Sequence, residues 1–137
     1  MAKKVLILSG SPRKNGNSDL LCNEFMRGAL ESGNEVTKIR VAEKKIAPCI
    51  SAQLKAVVDR TVARWLEVKD KEFYYIATCA EAEPEAVETT FACFHGYADC
   101  VEGAVEKGKI AGIGVYEAGA VKETEYMKAA YEMGKGV

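Results

Sequence analysis

The chain has 137 residues, is 48% hydrophobic and 28% charged, and carries a net charge of −1. That is enough for one domain with a core and too little for two. The charge balance provides no basic field for nucleic acid or an anionic membrane, and no apolar run nears the roughly 20 residues that a bilayer span needs.

The N-terminus, M-A-K-K-V-L-I-L-S-G, starts like a secretory leader, but its apolar part is only four residues long and reads as a strand. A cytoplasmic location is therefore expected. Five cysteines, Cys22, Cys49, Cys79, Cys93 and Cys100, form no C-x-x-C pair. Free thiols, mostly buried as small apolar residues, are the expectation.

The run Val5 to Leu8 is continuously apolar, as in a parallel strand covered on both faces. From Ser18 to Ser32, Leu21, Cys22, Phe25, Met26, Ala29 and Leu30 recur at helical spacing, and Gly33 is a natural stop. Glu35 to Val41 alternates like a strand. Together these make one βαβ unit. A helix follows over Ser51 to Val68, with Ser51 as N-cap and Leu54, Val57, Val58, Thr61 and Trp65 as its stripe.

Phe73 to Thr78 reads as a central strand. An acidic loop with Glu81, Glu83 and Glu85 leads past Pro84 into a long helix, striped by Val87, Phe91, Phe94, Ala98, Val101 and Val105 and open to interruption at Gly96 and Gly103. Lys109 to Tyr116 reads as a glycine-weakened strand, and Glu123 to Gly134 as the last helix. The alternation predicts a doubly wound α/β fold with a parallel sheet, a single domain over 1–137. Only four strands are counted, where such folds usually have five or more.

The chemistry concentrates in S-G-S-P-R-K-N-G-N-S, Ser9 to Ser18. A loop that leaves the carboxyl end of a first strand and opens a helix is where α/β folds hold anions. Ser9, Ser11 and Ser18 offer hydroxyls, Asn15 and Asn17 offer amides, Arg13 offers a fork, and Gly10 and Gly16 allow tight backbone angles. The dinucleotide fingerprint G-x-G-x-x-G is absent, and so is G-x-x-x-x-G-K-[ST], since Asn17 stands where the lysine belongs. What remains is a hydroxyl- and amide-rich cradle, the kind used for the monophosphate of FMN. A long polar loop with a good N-cap would look much the same.

The segment V-L-I-L-S-G-S-P-R-K-N-G-N-S resembles the opening of the NADPH-dependent FMN reductase and iron–sulfur flavoprotein group of the flavodoxin-like superfamily. So do S-A-Q-L-K-A-V-V-D-R-T from Ser51 and G-I-G-V-Y-E-A-G-A-V-K-E-T-E-Y-M-K-A-A-Y-E-M-G-K at the end. The resemblance implies a flavodoxin-like three-layer sandwich. It implies FMN with its phosphate on Ser9 to Ser18, with Ser11, Arg13, Asn17 and Ser18 as foremost contacts. It also implies that Thr78, Cys79 and Ala80 lie against the ring, and that the protein is a homodimer or tetramer.

The chain departs from the pattern after Cys49. Relatives carry further cysteines, a helix, the third strand and the main ring-binding loop before the S-A-Q-L-K helix; here A-P-C-I runs straight into it. Without that central strand, the first strand must pair directly with Phe73–Thr78, or a partner chain must fill the gap. The compact cysteine spacing of an iron–sulfur cluster is missing, so none is expected. Residues 93 and 95 point apart on a helix, so Cys93, His95 and Cys100 are not expected to share a metal. Cys79, at a strand's carboxyl end, is a candidate flavin contact or redox-sensitive thiol. Asp59 and Arg60 are read as a surface or interface ion pair.

The expected activity is an FMN-dependent oxidoreductase that takes reducing equivalents from NADPH or NADH to a quinone, flavin or nitro-type acceptor, with no catalytic side chain in the strict sense. Two alternatives stay open: a remnant or oligomeric module without tight flavin binding, and a flavodoxin-type electron-transfer protein.

Overall fold

The computed structural model describes residues 2–11, 13–41 and 50–137. Cys49, and with it the junction at which the chain departs from its relatives, lies outside them.

Strand β1 (Lys4–Ser9) pairs in parallel with β2 (Glu35–Arg40), in register from Lys4–Glu35 to Ser9–Arg40, and helix α1 (Asn17–Glu31) makes the crossover. Gly33 ends α1 with φ +81°. The Asn34 N–H reaches Ala29 O and the Gly33 N–H reaches Leu30 O, so two terminal carbonyls are satisfied in a Schellman turn.

Strand β3 (Glu72–Thr78) pairs in parallel with β4 (Val105–Gly112), joined by helix α3 (Glu85–Asp99). Helix α2 (Ile50–Thr61) runs on into a 3-10 segment, Val62–Glu67, bent at Arg64. Helix α4 (Tyr126–Lys135) follows a 3-10 turn, Ala120–Glu123. The expected order of strands and helices is therefore found.

Several boundaries move; the last strand ends at Gly112 instead of Tyr116, and the last helix begins at Tyr126 instead of Glu123. The long helix stops at Asp99 because the chain turns at Gly103, φ +71°, and Val105 opens β4 instead of extending the helical stripe. The last strand consequently begins four residues earlier than its apolar core suggests. Its opening residues, V-E-K, are exposed and hide the strand signal, and a register shift between Phe73 and Tyr74 skips Lys107. Ser51 sits within α2, which begins at Ile50, so it is not the cap. Gly96 lies inside α3 without breaking it.

Alternate residues of β3 divide the core into layers. Tyr75 and Ala77 pack with Val87 and Phe91 of α3; Ile76 and Tyr74 face α1 and α4. Helices α1 and α4 touch backbone to backbone. A Cβ on Gly28 would sit 2.1 Å from Tyr131 O, and one on Gly134 2.0 Å from Phe25 O.

The four strands do not form the expected continuous sheet. They form two parallel pairs, and among the described residues no ladder joins β1 to β3. Helix α1 packs against both pairs, Phe25 stacks obliquely on Tyr74 at 5.4 Å, and Lys3 Nζ reaches Glu72 Oε2 at 2.8 Å. Direct pairing of the first strand with Phe73–Thr78 is thus not how the halves meet; side chains beneath one helix join them.

Of the cysteines, Cys22 alone is buried among those described; Cys79 is half-buried, and Cys93 and Cys100 are exposed. Burial pushes the Cys22 thiol up to about 11, which makes it an inert apolar group. Asp59 pairs with Lys55 at 2.6 Å, not with Arg60, because residues four apart share a helix face.

Candidate functional site

The loop from Ser9 to Asn17 is closed by one side chain that the sequence reading passed over. Asp19, on the first turn of α1, accepts the Ser9 hydroxyl at 2.9 Å and the Asn15 N–H at 3.1 Å. One carboxylate so ties the end of β1 to the far side of the loop. Asn15 carries the positive φ, 59°, a conformation that asparagine tolerates.

The two glycines do not supply the tight angles expected of them. Gly16 is extended, φ −67°, and matters for space: a Cβ there would lie 3.0 Å from Ser11 Oγ and 3.2 Å from Arg13 O. The turn it permits is held by the Gly16 N–H and the Ser11 hydroxyl, both donating to Arg13 O, at 3.1 and 3.0 Å.

Asp19 is buried and faces two cations from β2. Lys38 Nζ lies 2.7 Å from Oδ1, and Arg40 Nε lies 3.6 Å away. Alternation on β2 carries Lys38 and Arg40 to the same side as Val36, toward α1. Burial by itself would raise the Asp19 carboxyl. The bonds from Lys38, the Asn15 N–H and Ser9 outweigh it, and the net direction is below 3.8. Two cations against one anion leave this pole of the molecule positive, with Arg13 and Lys14 exposed beside it.

Asn17 opens α1, and its amide is fully used. Nδ2 donates to Val115 O at 2.9 Å and Glu117 O at 3.0 Å; Oδ1 accepts the N–H groups of Gly119 at 2.9 Å and Val121 at 3.3 Å. The segment 113–121 is therefore strapped across the start of α1. Its other edge is bound to the end of β3: Gly114 N–H to Glu81 O at 2.7 Å and Val115 N–H to Cys79 O at 3.0 Å.

The two groups of residues picked from the sequence thus share one rim, at the carboxyl ends of the strands. Ser9, Ser11 and Asn17 shape the loop, with their side chains bonded inward. Arg13 and Asn15 are exposed, and Ser18 is half-buried on the first helical turn. Thr78 closes β3, half-buried against Gly112; Cys79 gives its thiol to Glu81 O at 3.3 Å; Ala80 is exposed. The strap 113–121 lies between the groups and was missed. Its signal was G-I-G-V-Y-E-A-G, two glycines spaced to turn the chain, at Gly114 with φ +68° and Gly119 with φ +90°.

A family model described as NADPH-dependent FMN reductase matches residues 3–67, which include β1, the loop, α1, β2 and α2. The resemblance to this flavodoxin-like group is supported over residues 3–67; the carboxyl-terminal stretch from Gly112 lies outside the match. An iron–sulfur flavoprotein of Methanocaldococcus jannaschii is 41% identical over 51 residues, 37% of this chain. The match spans 26% of that relative's length. No solved structure matches the chain significantly. The parallel α/β order, with its loop-to-helix opening, is that of the flavodoxin-like fold, here divided into two strand pairs.

Proposed function

We propose that the chain binds FMN at the Ser9–Ser18 loop and works as a flavin-dependent oxidoreductase. The observation that carries this reading is the braced opening of α1. A 15-residue helix presents its first-turn N–H groups, which have no partner within the helix, beside Ser18, Asn15 and Arg13. The nearest carboxylate, Asp19, is already neutralised by Lys38 and Arg40. Such a donor set fits a phosphate dianion. Arg13, Asn15 and Ser18 are the proposed side-chain contacts; Ser9, Ser11 and Asn17 keep the loop in shape for its backbone donors. Thr78, Cys79 and Ala80 are proposed to line the ring side.

Bound flavin would supply the redox chemistry, taking hydride from a reduced nicotinamide nucleotide and passing electrons to a small acceptor. The protein's part is to anchor the phosphate, orient the ring and keep the two substrates in turn. The reading carries with it NADPH or NADH as reductant, a homodimer or tetramer, and a cytoplasmic setting. The break between β1 and β3 favours a second reading, in which the phosphate is held and no turnover follows.

An FMN titration followed by flavin fluorescence tests the first reading. Binding at micromolar concentration should be lost when Arg13 and Ser18 are both changed to Ala. NADPH oxidation by the loaded protein then separates an oxidoreductase from a carrier. A folded protein that leaves FMN free sinks both.

A further inference from the structure

Tyr116 is 75% exposed, the one aromatic among the described large apolar side chains that face solvent, and it does not sit on a loose loop. Both flanking carbonyls, of Val115 and Glu117, are held by the Asn17 amide at 2.9 and 3.0 Å. Val115, its neighbour, is buried in the core with Leu21, Ile110, Val121 and Ala130. The backbone alternates there, so Val115 inside sends Tyr116 outward at the rim of the carboxyl ends. The strap is tied to the start of α1 on one side and to Cys79 and Glu81 on the other. A solvent-facing phenol ring, carried on a braced backbone, is therefore stationed between the loop that fits a phosphate and the end of β3.

We infer that Tyr116 is the stacking platform for the aromatic ring system of the bound cofactor. The inference rests on the FMN reading above and goes beyond it, because that reading assigns the ring to Thr78–Ala80 alone. A phosphate site one residue away, through Asn17, fixes one end of the ligand; a flat π-face is what its other end requires. Tyrosine provides large contact area with few rotatable bonds, so little entropy is lost on stacking. Tyr116 then determines affinity for the ring, independently of the phosphate.

Four proteins and two ligands test this: the unchanged chain, Tyr116→Phe, Tyr116→Ala and Arg13→Ala, each titrated with FMN and with riboflavin. Tyr116→Ala should weaken both ligands by about tenfold or more, a typical size for loss of one stacked ring. Tyr116→Phe should bind within about twofold of the parent, since the π-face remains. Its bound flavin should also fluoresce more brightly, because phenylalanine cannot quench by giving up an electron as a phenol does. Arg13→Ala should weaken FMN and leave riboflavin unaffected. FMN affinity and quenching that are unchanged in both Tyr116 variants would overturn the inference and leave the FMN reading standing. An unchanged chain that leaves flavin free at about 100 µM would overturn both.

Discussion

Asn17, the first residue of α1, and Cys79, just past the end of β3, are bridged by a single residue. Val115 gives its N–H to Cys79 O at 3.0 Å and its carbonyl to Asn17 Nδ2 at 2.9 Å. The same amide holds three further backbone groups. Asn17→Ala would leave all four without that partner. Unpaired buried polar groups cost about 1–3 kcal/mol each, and those that reach water cost less. A loss of about 3 kcal/mol is expected, read from urea unfolding. Amide exchange at Gly119 and Val121 should quicken in step. A loss under about 1 kcal/mol would mean that the strap is held elsewhere.

Asp19 makes a prediction about acid. Its carboxyl is held below 3.8 in the folded chain, as Lys38, the Asn15 N–H and Ser9 outweigh burial. A group depressed on folding contributes stability above its unfolded value and loses it as pH falls through the folded one. The contribution should therefore be complete above about pH 4 and fade below it. Asp19→Asn, similar in shape, removes the charge and strands Lys38 and Arg40 against each other. It should cost about 3 kcal/mol at pH 7 and flatten the acid limb of the stability profile. Unfolding midpoints of both proteins from pH 2 to 7 decide it. An acid limb that keeps its slope would assign it to other carboxylates.

Two glycine-to-alanine changes should act in opposite directions. At Gly28 the added methyl would meet the backbone of α4 at 2.1 Å from Tyr131 O, and backbone cannot step aside as a side-chain tip can. Gly28→Ala should force α1 and α4 apart and cost about 3 kcal/mol. Gly96, within α3, has nothing within 4 Å of its added Cβ. There the same change should stabilise by about 0.5–1 kcal/mol, through helix propensity and a more restricted unfolded chain. Thermal melts of the two variants on either side of the parent bear this out; a neutral Gly28→Ala would mean the helices do not approach so closely.

Element types were legible wherever periodicity was long and apolar. The stripe Leu21, Cys22, Phe25 and Ala29 is the buried face of α1, and the Val5–Leu8 run is β1. Legibility failed where a boundary depended on something other than side-chain pattern. Val105 fits the helical stripe of α3, but Gly103 turns the chain, and a parallel ladder with β3 takes Val105 instead. The loop Ser9–Ser18 was legible as a site by residue type. Its brace was not: Asp19 looks like an ordinary first-turn acid, and its meaning comes from Lys38 and Arg40 across β2. The same holds for Asn17, whose partners lie about a hundred residues away in the chain. Long-range bonds of a single polar side chain leave no periodic trace in a sequence.

The last prediction concerns the one histidine of the chain, and its single imidazole signal makes the measurement unambiguous. His95 Nδ1 lies 2.9 Å from Glu106 Oε1, and Nε2 lies 3.5 Å from Asp99 Oδ2. The bond to Glu106, then the charges of Asp99 and Glu106, raise its pKa above 6.5. Tyr75 donates to the same Glu106 oxygen at 2.9 Å, so the cluster joins α3 to both β3 and β4. A group raised on folding stabilises fully below its unfolded value and loses the contribution as pH rises through the folded one. Stability should therefore fall slightly from about pH 6.5 upward. Glu106→Gln should bring the imidazole back toward 6.5 and remove that part of the slope. The titration is followed by the imidazole proton resonances. A pKa that stays raised in Glu106→Gln would transfer the effect to Asp99, and Asp99→Asn would then be the variant that lowers it.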